Sequence, residues 1–244
     1  MHRFFLPQIF AEEMKITGKD AHHICNVLRM QIGEKIQIAT ADSIVALMEI
    51  TELNNDFVKI KLLEIINEVH EPNVKVTIAQ ALVKGEKMDY IIQKSIEIGA
   101  NRIIPIIMNN CVVQLDAKKA EKKITRWNKI AEAAAKQCKR DIIPIVDKVS
   151  KFKDVLQEDE FDLKIIASEC ERQISLKEVL RKNSEAKNIL VIIGPEGGIT
   201  AEELDLASKN NACAISLGKR ILRAETASLV ALVAIMYETG DLGD

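Results

Sequence analysis

Ile189-Leu190-Val191-Ile192-Ile193-Gly194-Pro195-Glu196-Gly197-Gly198-Ile199-Thr200 decides how the rest of this chain is read. A continuous apolar strand runs into a glycine-rich loop. Thr200 then opens a helix, with Glu203 three residues later at the spacing of a capping box. In open α/β sheets such a strand end is where ligands bind, and glycines let backbone amides approach a ligand closely. A tight strand-to-helix turn with no ligand would carry the same pattern.

Outward from this stretch the pattern repeats. Strands are expected at Val74–Ala81, Arg102–Met108, Ile142–Val146, Leu163–Ala167, Asn188–Ile193 and Ala212–Leu217. Helices are expected between most of them, at Met88–Ile98, Ala117–Arg140, Leu176–Arg181, Ala201–Lys209 and Ala224–Glu238. Strands alternating with helices predict α/β architecture, a parallel sheet covered on both faces. Upstream the reading changes. Lys35–Thr40 and Val58–Leu62 alternate apolar with polar, and Ser43–Ile50 lies between them, which predicts a small β-barrel. One short helix interrupts it, with Asp20 as N-cap and His23, Val27 and Met30 at helical spacing. Glu71-Pro72-Asn73 favours a turn. It divides residues 1–72, the barrel domain, from residues 73–244, the α/β domain.

Composition bounds the functions. The 244 residues are 48% hydrophobic and 29% charged, as expected of a globular chain with a real core. Net charge is −2, so nucleic-acid binding would have to come from local basic patches. Cys25, Cys111, Cys138, Cys170 and Cys213 are scattered and never form a CxxC pair. That predicts reduced thiols in the cytoplasm and no disulfide framework. His2, His22, His23 and His70 add no metal-ligand spacing, so no metal is expected. The N-terminal apolar stretch is too short and broken for a secretory leader. The apolar run Ala227–Tyr237 falls well short of a membrane span and reads as a buried helix.

The glycine loop is neither a Walker phosphate loop, which needs Gly-Lys-Ser/Thr, nor a GxGxxG dinucleotide loop. It carries Glu196, which would repel a triphosphate and suit a neutral or cationic ligand. A second strand–loop–helix unit, Ser216-Leu217-Gly218-Lys219-Arg220-Ile221-Leu222-Arg223-Ala224-Glu225-Thr226-Ala227, puts three basic residues within five positions. Arginine suits phosphate and planar hydrogen bonding; a solvated basic loop is the alternative. Between Ala117 and Arg140, the side chains of Lys118, Lys122, Arg126, Lys129, Lys136 and Arg140 share about a quarter of the helix circumference. Ile124, Trp127, Ile130, Ala131, Ala134 and Cys138 lie opposite. This face is either merely solvated or a track for RNA phosphates. No G-x-S-x-G elbow and no HExxH occur, and the paired acids, Glu202-Glu203 among them, read as solvated.

Taken in order, several segments resemble the ribosomal RNA small-subunit uridine-N3 methyltransferase family (RsmE), of the SPOUT class. They are His23–Met30, Lys84-Gly85-Glu86-Lys87-Met88-Asp89 with Lys94 and Glu97-Ile98-Gly99, and Arg126-Trp127 with Glu132-Ala133-Ala134 and Gln137. Arg140, Ile143-Pro144, Gly194–Gly198 and Leu217–Ala227 complete the pattern. The resemblance implies a PUA-like RNA-binding barrel followed by an α/β domain with a C-terminal trefoil knot. It implies S-adenosylmethionine as cofactor, its sulfonium being cationic, held by Ser168, Gly194, Pro195, Glu196, Gly197, Gly198, Leu217, Gly218, Ile221 and Leu222. It implies a homodimer acting on the 16S RNA of the small ribosomal subunit. RNA contacts are expected from Arg3, Arg29, Lys84, Lys87, Arg140 and Arg220. Arg223 is expected to stabilise negative charge on the base, with Glu225 a weaker candidate for proton acceptor. The alternatives are a SPOUT enzyme acting on another RNA or position, and a ribosome-assembly RNA binder without turnover.

Overall fold

Residues 2–54, 56–67 and 70–243 are described by the computed structural model, which divides into two compact units. The first is Met1–Glu71 with Ala135–Ile143; the second is Pro72–Ala134 with Pro144–Asp244.

In the first unit, alternation places the side chains. The chain runs through β1 (Arg3–Leu6), β2 (Glu13–Thr17), α1 (Gly18–His22), a π-helical turn (His23–Val27), β3 (Lys35–Thr40), β4 (Val45–Leu53) and β5 (Phe57–Ile65). Met14 and Ile16 of β2 point inward while Glu13, Lys15 and Thr17 face water, the period-2 pattern of a sheet with one wet face. The strand order is β1-β3-β4-β5-β2, antiparallel except for the β1–β3 pair. Among the described residues no ladder joins β1 to β2, so the sheet curls round its core without closing. Phe4, Ile16, Ala21, Ile24, Ile36, Ile38, Met48 and Ile60 fill that core.

The helix here differs from the expected one. It starts at Gly18 after an extended Thr17 rather than being capped by Asp20, and it widens into a π turn at His23. The i→i+5 bond from the Leu28 N–H to the His23 carbonyl rotates later residues off the 3.6-residue period. Ala21 and Ile24 therefore go inward, and Val27 is exposed.

Segment 135–143 belongs to the first unit because buried ion pairs tie it there. Arg3 donates to the carbonyls of Lys139 and Arg140 and to Asp141 Oδ1 at 2.9 Å. Glu71 accepts from the Arg140 guanidinium and from the backbone N–H groups of Asp141 and Ile142. The division of the sequence at Pro72 alone does not contain this return of the chain.

The second unit comprises β6 (Lys75–Ala81), α2 (Lys87–Ile98), β7 (Arg102–Ile107), most of α3 (Ala117–Gln137), β8 (Ile145–Val146), β9 (Ser150–Lys151), α4 (Phe152–Leu156), β10 (Leu163–Ala167), α5 (Leu176–Lys182), β11 (Asn188–Ile193), α6 (Ala201–Lys209), β12 (Ala212–Ile215) and α7 (Ala224–Glu238). Every strand pair is parallel, in the order β12-β10-β11-β6-β7-β8, with β9 also on β7. The central strands β6, β7 and β11 are buried along almost their whole length, as a parallel sheet covered by helices requires. Helix α7 packs on α2, α5, β6 and β11. Ser228 of α7 is fully buried and donates to Gln80, itself buried on β6.

The end of β12 is held from both sides. Ile215 accepts from the Ser168 N–H at 3.0 Å, while Ser216 donates to Ile174 at 2.8 Å and accepts from Leu176 at 3.4 Å. Consecutive strand residues point their backbone groups in opposite directions. Segment 169–173 therefore straddles the end of β12. Among the described residues, no helix is long and apolar enough to cross a membrane.

Candidate active site

Three neighbouring strands, β12, β10 and β11, end at one edge of the sheet. Their carboxyl ends deliver Ser216-Leu217, Ser168 and Gly194 to a single cleft of about 1160 Å³. A small-ligand pocket typically measures about 300–1,000 Å³, so the cleft is large enough for a small-molecule ligand. Of the residues expected to hold cofactor, Ser168, Gly194, Pro195, Glu196, Gly198, Leu217, Gly218, Ile221 and Leu222 line it, as do Arg220, Arg223 and Lys87. Gly197 and Glu225 are not among the lining residues.

The glycine loop is shaped by its neighbours. A Cβ on Gly194 would stand 2.5 Å from Ile199 Cγ1, and one on Gly197 would stand 2.8 Å from the Asn110 Cβ. The Asn110 side-chain amide donates to the carbonyls of Gly197 and Gly198 at 3.0 and 3.1 Å. A side chain at Gly197 would therefore collide with Asn110. Thr200 and Glu203 form the complete capping box of α6. Glu203 is buried rather than solvated, because its second oxygen takes the Asn109 N–H at 2.7 Å. The turn after β7 therefore clamps the loop after β11. Sequence reasoning missed Asn109 and Asn110; Asn109-Asn110 after an apolar strand was their only local signal.

A second tie crosses the cleft wall. Lys87, at the start of α2, donates to Glu196 Oε1 at 3.2 Å and lies 3.4 Å from Glu225 Oε2. The second contact is an ion pair without hydrogen-bond geometry, and among the described residues that buried oxygen has no hydrogen-bond partner. The Lys84 backbone N–H also reaches Glu196 Oε1, at 3.4 Å. The hydrogen bond to Glu196 raises the Lys87 pKa above its ordinary value against the effect of burial, with Glu225 adding. Burial pushes the Glu196 carboxyl up, but backbone hydrogen bonds and Lys87 outweigh it and hold it below the usual range.

Arg223 is exposed in the cleft, occupies the N-cap position of α7 and has no ion-pair partner among the described residues. Ala224 and Ala227 line the cleft beside it, so the amino end of α7 faces the same space. The first N–H groups of a helix lack intrahelical partners and carry partial positive charge. The lining also includes the carboxylates Glu169, Glu171 and Glu196, the cations Arg172 and Lys219, and the apolar side chains Ile199, Leu217, Ile221 and Leu222. The carboxylates suit a cationic end of a ligand and the apolar side chains a planar apolar part, while Lys87, Arg172, Lys219, Arg220 and Arg223 suit an anionic partner at the same cleft.

The expected RNA contacts divide. Arg29 and Arg220 are exposed, and so is Lys84. Arg3 and Arg140 are only 5% and 3% exposed. Their guanidinium groups are committed to Asp141, Glu71 and backbone carbonyls. They fasten segment 135–143, and the assignment of both to RNA is corrected. The phase of the sequence pattern carried Arg140 onto the basic face, but α3 ends at Gln137 and Lys139 turns at φ +59°, which swings Arg140 inward.

Comparison with known proteins agrees with this arrangement. A family model described as an RNA methyltransferase domain matches residues 70–236, and one described as an RNA methyltransferase PUA domain matches residues 16–63. The chain is 40% identical over 234 residues to ribosomal RNA small subunit methyltransferase E of Bacillus subtilis, covering 94% of this chain and 91% of that one. It resembles the crystal structure of a ribosomal RNA small subunit methyltransferase E from Neisseria gonorrhoeae bound to S-adenosylmethionine, with a TM-score of 0.87, 29% identity and 97% of each chain covered. A putative methyltransferase from Legionella pneumophila, also with that cofactor bound, gives a TM-score of 0.84 at 29% identity, over 96% of each chain. A cleft at the carboxyl ends of three parallel strands, a clamped glycine loop and matches across nearly the whole chain place this protein in the ribosomal RNA small subunit methyltransferase E family.

Proposed function

We infer that this chain methylates small-subunit ribosomal RNA with S-adenosylmethionine, and we propose that the acceptor is N3 of a uridine. The observation that carries the reading is the joint lining of one cleft by the glycine loop, the Leu217–Leu222 loop and an unpaired Arg223.

When bound, S-adenosylmethionine supplies an electrophilic methyl group. Ser168, Gly194, Pro195, Glu196, Gly198, Leu217, Gly218, Ile221 and Leu222 would hold it. Gly218 has φ +119° and a Cβ there would meet nothing within 4 Å, so glycine is needed for backbone conformation alone. Uridine N3 carries a proton whose pKa lies well above neutrality, and losing it puts negative charge on the base. Arg223, with the amino end of α7, offers positive potential where that charge develops. Because Glu225 does not line the cleft, its part is to hold Lys87, and the proton passes to water. Arg29 in the first unit and Lys84 and Arg220 in the second are proposed RNA contacts; Lys87 acts first on Glu196.

The straddled end of β12 supports a trefoil knot. A homodimer is supported by α7. Val230, Val233 and Tyr237 are 38%, 42% and 67% exposed and follow one another along one side of the helix, an apolar stripe a monomer would leave in water. Five free cysteines fit a reducing compartment, which supports the cytoplasm.

The test uses small ribosomal subunits lacking the modification and methyl-labelled cofactor, with nucleosides separated by mass spectrometry. Label in N3-methyluridine is expected. Label in another nucleoside would move the chemistry to another acceptor, and cofactor binding without transfer to any RNA would favour a non-catalytic binder.

A further inference from the structure

Helix α3 carries a concentration of charge that the cleft does not use. Between Ala117 and Ala134 stand six basic and two acidic residues, a local excess of four positive charges in a chain whose net charge is −2. The rest of the protein is therefore net acidic, and this helix is a distinct electropositive element.

The arrangement is directional. Trp127, Ala131 and Ala134 are buried and fix which side of the helix faces the core. At about 100° per residue, Lys118, Lys122 and Lys129 then fall within about 40° of one another on the outward side. They spread over about 16 Å of helix at about 1.5 Å per residue. All three are exposed and have no carboxylate partner among the described residues. Their neighbours are committed: Lys119 pairs with Asp116, Lys123 lies over the Trp127 ring, and Arg126 pairs with Asp89. Three unpaired lysines in a row, beside lysines held by partners, make an anionic ligand the natural counterpart. None of the three lines the cofactor cleft.

We propose that Lys118, Lys122 and Lys129 form a phosphate track that holds ribosomal RNA away from the methylated base, a surface that rests on the RNA-methylating reading above. A membrane surface is the less fitting partner. Helices that lie on membranes pair a basic face with exposed Trp, Phe or Leu, and no large apolar side chain is exposed between Ala117 and Ala134. Phosphate contacts carry affinity rather than sequence information, so the track anchors and the cleft selects.

The test compares the full-length protein with a K118Q/K122Q/K129Q variant, glutamine being nearly as good a helix former as lysine. The probe is unmodified small-subunit RNA transcribed in vitro, titrated between about 50 and 200 mM salt. The expected result is RNA affinity lowered about tenfold or more at the low-salt end, with the slope of log K against log salt shallower by about two to three. Cofactor affinity should stay unchanged. RNA affinity and slope equal to those of the wild type would overturn the proposal. So would a variant that keeps RNA binding and instead loses binding to vesicles of anionic lipid. A wild-type protein that transfers no methyl group to RNA would remove the underlying reading and the track with it.

Discussion

Arg223 stands exposed at the cleft with no carboxylate among the described residues to neutralise it. Arg223→Ala should lower kcat by about 100- to 1000-fold, the range seen when one preorganised charge-stabilising donor is removed. Calorimetric cofactor affinity should stay within a few-fold, and equal turnover by the variant would exclude the assignment. Asn110 acts differently, since it does not line the cleft but bonds two carbonyls of the loop that does. Asn110→Ala removes two hydrogen bonds worth about 1 kcal/mol each. Weaker cofactor binding, on the order of tenfold, is expected with kcat at saturation largely retained. A loss confined to kcat would show that the clamp does not position the cofactor loop. Neither asparagine announces this in the sequence. Their partners lie about ninety positions away, and only the pairing of β6 with both β7 and β11 brings the two turns together.

At the scale of elements, the glycine loop and α6 behave as one unit. Thr200→Ala removes one side of the capping box and should cost about 1 kcal/mol in urea unfolding. Glu203→Ala should cost more, about 2–3 kcal/mol, because two backbone N–H groups lose their acceptor in a buried place. Equal midpoints for the two variants would contradict the double role of Glu203. The Lys87–Glu196 tie between α2 and this loop has a defined pH window. The depressed Glu196 pKa contributes stability above its unfolded value, lost as pH falls through the folded one. The raised Lys87 pKa contributes below its unfolded value, lost as pH rises through the folded one. The tie is therefore intact across neutrality. Cofactor affinity should be flat between about pH 6 and 9 and lower in Lys87→Met throughout that range. An affinity that titrates near neutrality would assign control to another group. Strands β10 and β11 and helices α6 and α7 were legible to the residue, because each is an apolar run or helical pattern bounded by its own turn signals. The short β1, β2, β9 and α4 were not, since a few residues carry too little pattern to stand out.

For the whole molecule, the apolar stripe of α7 predicts self-association. Val233→Glu puts a charge in that stripe without touching the buried side, where Leu232, Ile235 and Met236 pack. Light scattering should shift from dimer to monomer, with the unfolding transition preserved. A variant that remains dimeric would place the interface on another surface. What the sequence by itself determined was the parallel α/β sheet, the glycine loop at a strand's carboxyl end and the basic loop before α7, because each is written in contiguous residues. Only the tertiary structure decided which cations are free for RNA. Arg140 ends a basic helical pattern and Arg3 lies in an apolar stretch, yet both are buried against carboxylates, whereas Arg223 is exposed. A charge's role depends on the partner that folding sets beside it, and here Arg3 and Asp141 meet across 138 positions of chain.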